Sequence, residues 1–176
     1  MFEKLFGRDE AELKEGEVSS RPDSPKFAPN TKIAYKPSLI PTLQKEHQEL
    51  LDVYDRSSKA AHARLTKRAK KLLSQFKDMF VDHVLRENTS LYIYLQHSAQ
   101  GVTSKRAIRS VKSEMEQIGR EVMQFLDYGI KESTAIDDEF LQRMDEISEI
   151  LHRRIKQEEG YVYPNYLTKS QPVSPT

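Results

Sequence analysis

The sequence predicts an all-α fold: an antiparallel up-down-up-down four-helix bundle with an extended N-terminal arm and a short C-terminal tail. Three observations carry this expectation. All eight prolines lie at or before Pro41 or at or after Pro164. Proline costs about 3 kcal/mol inside a helix, so the window between them is open to long helices. Apolar residues in that window recur with the helical period of about 3.6, and no strand alternation competes with it. Gly101, Gly129 and Gly160 punctuate the periodic stretches.

The arm, residues 1–37, is read as flexible or strap-like, because residues 14–38 are polar and proline-rich. Phe2, Leu5 and Phe6 would share one side of a short helix within Met1 to Leu13. Ser38 or Pro41 opens the first long helix, which runs to residue 62 on Leu43, Leu50, Leu51 and Tyr54. The second covers residues 65–98 on Ala69, Leu73, Phe76 and Phe80. The third covers residues 104–128 on Ile108, Val111, Ile118, Val122 and Phe125. The fourth covers residues 137–159 on Phe140, Met144, Ile147 and Leu151, with Gly160 and then Pro164 as its stop signal. The bundle is therefore placed at 38–163 and the tail at 164–176.

Composition removes several function classes. Lys plus Arg is 28 against 27 for Asp plus Glu, a formal net charge of +1, which gives no bulk attraction for nucleic acid. The basic run from Lys59 to Lys71 lacks interleaved aromatics and reads as a solvated face. The absence of cysteine excludes disulfides, thiolate metal sites and cysteine nucleophiles. No apolar run is long enough for a membrane span, and no signal peptide is visible, so a cytoplasmic location is expected. Glycines are too scattered for a phosphate-binding loop, and nothing suggests a turnover enzyme.

The informative residues are polar ones in apolar register. The second-helix stripe runs 69, 73, 76, 80, 83, 87, which turns His83 and Glu87 toward the core. The first-helix stripe runs 43, 47, 50, 54 and turns His47 inward. On the fourth helix, His152 lies next to Leu151 and is expected to turn the same way as Ile155 and Glu159. Buried ionisable groups need partners. A metal ion held by imidazole and carboxylate would satisfy several at once, and iron, manganese or zinc suits that donor set. A hydrogen-bonded network without metal is the alternative.

These stretches resemble the hemerythrin-like (HHE cation-binding) family. LIPTLQKEHQELL places His47 as the first histidine, FVDHVLRENTSLYIYL supplies His83-x-x-x-Glu87, and HRRIKQEEGYVYP supplies His152 with Glu158 and Glu159 before an aromatic–proline end. The resemblance covers Lys36 to Leu167. It implies a four-helix bundle around a non-haem iron site, usually two irons bridged by carboxylate and oxo or hydroxo oxygen. Such proteins bind dioxygen, sense oxygen, iron or redox state, or respond to nitric oxide damage. The ligand set it implies here is His47, His83, Glu87 and His152, with Glu158 or Glu159 as a fifth. The chain departs from the pattern on the third helix, where Met115 stands for a histidine, and on the fourth, where Lys156 and Gln157 stand for a carboxylate. One metal, an incomplete two-metal site and an empty site remain open.

KEHQELLDVY, FKDMFVDHV and SEMEQIGREVMQFL are also similar to stretches of regulator-of-sigma-D/AlgQ anti-sigma proteins. That weaker resemblance implies a bacterial regulator on the same scaffold that binds sigma factor through its surface and needs no metal. The leading expectation is an iron-binding, non-enzymatic protein for sensing or carriage, with dioxygen or nitric oxide as ligand.

Overall fold

The computed structural model describes residues 27–99 and 101–168. Six α-helices follow one another: α1 (Leu39–His62), α2 (Thr66–Arg86), α3 (Ile93–Ser98), α4 (Gly101–Gly129), α5 (Asp138–Gln157) and α6 (Tyr163–Leu167). A π-helical turn, Glu87–Tyr92, joins α2 to α3, and a second, Glu158–Val162, joins α5 to α6. Neither turn breaks its rod. The chain therefore makes the four rods of an up-down-up-down bundle, in which α1 packs on α2 and α5 while α4 packs on the same two. Among the described residues an isolated bridge between Phe27 and Ala34 is the sole β pairing, and no helix is long and apolar enough to cross a membrane.

The rods follow the expected spans except at the end of the fourth. It continues through Gly160 and Pro164 to Leu167, across the expected bundle–tail boundary. In a regular α-helix the Pro164 ring would collide with the carbonyl four residues back, that of Gly160. Gly160 lies inside the wider π-turn, which takes up the misfit. Residues 169–176 and the proposed Met1–Leu13 helix lie outside the described residues.

Local chemistry fastens the rods. Asp137 caps α5, its side chain accepting from the Phe140 N–H at 2.9 Å. Lys70 donates to the carbonyls of Lys131, Glu132 and Thr134 and so closes the α4–α5 loop. The Tyr54 hydroxyl donates to the Met144 carbonyl at 2.8 Å, and the Ser57 hydroxyl to that of Ala69 at 3.0 Å. The part of the arm that is described behaves as a strap. Ala28 is buried, Tyr35 stacks on Tyr166 at 4.7 Å, and the Lys36 N–H donates to the Tyr166 hydroxyl at 2.8 Å.

The core divides in two. One cluster, around Tyr54, Leu73, Phe76, Phe125 and Met144, fills the end near the α1–α2 turn. The other, around Leu43, Leu91, Tyr94, Tyr163 and Tyr166, fills the end under the strap. Between them lies a buried polar layer of His47, His83, Glu87, Arg154 and Glu158.

Leu73 is fully enclosed in the first cluster. Leu73→Ala should lower unfolding free energy by ~2–5 kcal/mol through transfer and cavity costs, whereas Asp137→Ala, which removes one cap, should cost only ~1 kcal/mol. Urea melts followed by circular dichroism would check both. Equal losses would mean the apolar cluster is not the dominant core.

Candidate metal centre

Each rod presents its inner face through steps of three and four residues, which return to nearly the same side of a helix. On α1 this brings in Leu43, His47, Leu50 and Tyr54, and on α2 Phe76, Phe80 and His83, with Glu87 following. On α5 the face runs Phe140, Met144, Ile147, Leu151, Arg154 and then Glu158. Both inner carboxylates are the first residues of π-turns. Such turns carry an extra residue, and they concentrate at functional sites. Here the second turn swings Tyr163, five residues after Glu158, back over the centre. Its hydroxyl donates to Glu87 Oε1 at 3.1 Å and lies 3.2 Å from His47 Nε2.

The two imidazoles face each other, ring centroids 4.7 Å apart. Each is oriented from outside by a carboxylate. His83 Nδ1 lies 2.9 Å from Glu46 Oε2, and Arg86 pairs with that same glutamate. His47 Nδ1 lies 2.9 Å from Glu159 Oε1. A carboxylate only accepts, so both Nδ1 atoms carry hydrogen and both Nε2 atoms turn inward. Carboxylate-oriented histidines are the usual arrangement behind a bound metal. One ligand atom each from His47, His83, Glu87 and Glu158 lies within 4.8 Å of the other three. Ligands ~2.0–2.2 Å from a shared ion stand roughly 3–4 Å apart, so a modest contraction would close this set around one ion.

Two unpartnered atoms bear on the fit. His83 Nε2 has no hydrogen-bond partner, and neither has Glu158 Oε2, which sits 3.3 Å from His47 Nε2 outside hydrogen-bonding geometry. Buried polar atoms are rarely left unpaired, and a cation between these would answer both. The donor chemistry and the orphaned atoms thus fit a metal ion.

Electrostatics set the protons. Burial, and then the positive charge of neighbouring His47, push His83 down to about 3, so its inward nitrogen keeps a free lone pair. Burial would also lower His47, but Glu158, Glu159 and Glu87 together outweigh it and raise it. Glu87 is pushed up to about 8 by burial and by adjacent Glu158, against the opposing pull of Arg154. Burial raises Glu158 too, yet Arg154 and His47 overcome this and hold its carboxyl below the usual range. In the metal-free protein, therefore, Glu158 is the ionised partner of Arg154 and Glu87 tends to keep a proton.

Arg154 is the residue that sequence reasoning missed. Its Nη2 donates to Glu87 Oε2 at 2.7 Å and its Nε to Glu158 Oε1 at 3.0 Å. The guanidinium also lies 5.5 Å above the Phe80 ring and is 3 % exposed. A signal was present: three residues beyond Leu151 the stripe reaches Arg154, and four more reach Glu158.

His152 is a correction. It points to solvent, with Nδ1 on the Ser148 carbonyl at 2.8 Å. One residue along a helix turns the side chain by about 100°, so the neighbour of an inward Leu151 cannot share its direction. Glu159 stands outside the inner set and orients His47. Met115 does face the core, as the third-helix stripe implies. Near the end of α3 His97 is exposed and Ser98 buried, because the first π-turn shifts the second-helix register by one. Tyr94, on the second-helix stripe, packs on Tyr166, and Tyr163 is the tyrosine that reaches the centre.

A cavity of about 410 Å³ leads from the surface between α2 and α4 to Glu87 and Arg154. Phe80, Val84, Met115 and Met123 line it, and Arg154 Nη1 and Tyr92 Oη, both without partners, border it.

The chain belongs to the hemerythrin HHE cation-binding domain family, whose model matches residues 38–166. No curated protein and no solved structure matches it.

Two outcomes should follow in metal-free protein. Arg154→Met strands two buried carboxylates and should cost ~3–5 kcal/mol, most of it recovered when Glu87→Gln and Glu158→Gln are added. Glu87 has its folded value raised from 4.5 to about 8, so it favours the folded state below the first value and loses that contribution as pH rises through the second. The stability of the wild-type chain minus that of Glu87→Gln should accordingly fall between pH ~5 and ~8. Urea midpoints across this range would show it, and a flat difference would contradict the protonated state assigned to Glu87.

Proposed function

We propose, with membership of this family as the premise, that the chain binds iron through His47, His83, Glu87 and Glu158 and works as a non-enzymatic, cytoplasmic sensor of oxygen, nitric oxide or redox state. The observation that carries this reading is the paired orientation of His47 and His83. Each has its Nδ1 anchored outward on a carboxylate and its Nε2 turned toward the inner glutamates. Neutral imidazole together with carboxylate suits iron, manganese and zinc. A bound iron would supply reversible change between two charge states within a buried site.

The protein's own contribution is to hold the donors and to limit access. Glu46 and Glu159 fix the imidazole planes. Tyr163 keeps one oxygen of Glu87 hydrogen-bonded. Apolar residues on either side exclude bulk water, and the cavity between α2 and α4 gives a small ligand a way to Glu87 and Arg154. A change of charge in this layer would be felt by both π-turns, because their first residues are the inner carboxylates.

One observation favours a metal-free regulator of the anti-sigma kind: Arg154 already supplies a buried positive charge to both inner carboxylates. On that reading the polar layer is structural and a protein partner, such as sigma factor, binds the bundle surface.

Metal analysis of the chain purified without chelator and reloaded anaerobically with Fe(II) separates the two. Iron should bind tightly, His47→Ala and His83→Ala should each lower the affinity at least ~10-fold, and His152→Ala should leave it unchanged. Retention of less than ~0.1 iron per chain, with His83→Ala still binding sigma factor at full affinity, would favour the metal-free regulator.

A further inference from the structure

We propose that the centre takes a single metal ion per chain, and that the Arg154 guanidinium is a built-in cation occupying the side where a second ion would have to bind. This deepens the reading above and rests on it.

The carboxylates show how the space is divided. An ion pair bridged by carboxylates needs one oxygen of each carboxylate for each ion. Here Glu87 Oε2 and Glu158 Oε1 are both taken by Arg154, at 2.7 and 3.0 Å. The fork of the guanidinium spans the two groups as a bridging cation would. The other oxygens, Glu87 Oε1 and Glu158 Oε2, lie on the side of Tyr163 and His47.

Helix α4 borders the arginine's side, and the carboxylate it brings to the cavity there, that of Glu116, is exposed and paired with Lys112. It presents Met115, whose thioether is a soft ligand, and Gly119, where an added methyl carbon would lie 3.7 Å from Arg154 Nη1. Among the described residues, the group able to hold an ion is the four already named, and Glu87 Oε2, bonded to Arg154, also lies 3.6 Å from His83 Nε2.

Charge counting agrees. Two ionised carboxylates, one guanidinium and one divalent ion sum to +1. A second divalent ion would raise this to +3 inside the buried layer, where the nearby carboxylates of Glu46 and Glu159 are already paired with His83 and His47, an excess that burial strongly disfavours. A single bound iron would supply a one-electron change between Fe(II) and Fe(III), which suits the sensing role proposed above.

The experiment uses the full chain, stripped and then reloaded anaerobically with excess Fe(II) or Mn(II). Metal per chain after gel filtration should saturate at one, and the Mn(II) form should show an uncoupled single-ion electron paramagnetic resonance signal. Two metals per chain with a spin-coupled signal would overturn this inference while leaving iron binding intact. No bound metal would overturn both. Variants test the arginine itself. Arg154→Met should bind the first ion about 10-fold more tightly, since the internal cation no longer competes for the carboxylates, and Arg154→Lys should stay within about threefold of wild type. An Arg154→Met chain that retains its helical spectrum but binds metal no better would show that Arg154 serves only packing.

Discussion

The bundle is organised around the cost of placing charge in an apolar interior. Glu87, Glu158 and Arg154 lie almost entirely out of water, and isolated charges there would be prohibitive. The arginine answers by bonding both carboxylates at once. His47, His83 and Tyr163 then surround what is left of their hydrogen-bonding capacity, and Glu46 and Glu159 tie the imidazoles from outside. The two apolar clusters can sit on either side because this layer is nearly self-sufficient. Of the atoms it leaves unpaired, Arg154 Nη1 borders the cavity, while His83 Nε2 and Glu158 Oε2 mark where a cation fits.

The backbone bends to the same requirement. A straight α-helix through Glu158 would carry Tyr163 to another face. The π-turn that begins at Glu158 adds the residue needed to return the phenol to the centre. The turn at Glu87 does the same for Leu91 and Tyr92, which seal the strap end of the core. Both turns start at a carboxylate of the inner layer and lead to the two rod ends under the strap, where Tyr35, Tyr94 and Tyr166 pack together.

Much of this was legible along the chain. His47, His83 and Glu87 fall on apolar stripes that one can count, and an inward polar residue on such a stripe has to meet others like it. Glu158 entered through the resemblance of the EEGYVYP segment rather than through counting. His152 was misjudged because adjacency was taken for direction. Arg154 lay on the stripe, yet arginine is so rarely buried that composition argues against it until a partner is seen.

Periodicity and proline placement determined four antiparallel rods and three of the inner residues, because a helix's burial pattern is a local property of its sequence, and the family resemblance supplied Glu158. Only the tertiary structure decided that the fourth rod continues past Pro164, that Tyr163 rather than Tyr94 reaches the centre, and that an arginine bridges the two carboxylates. Those outcomes depend on groups far apart in sequence competing for the same few ångströms of dry space, where the favourable partner is whichever charge happens to arrive from the facing helix.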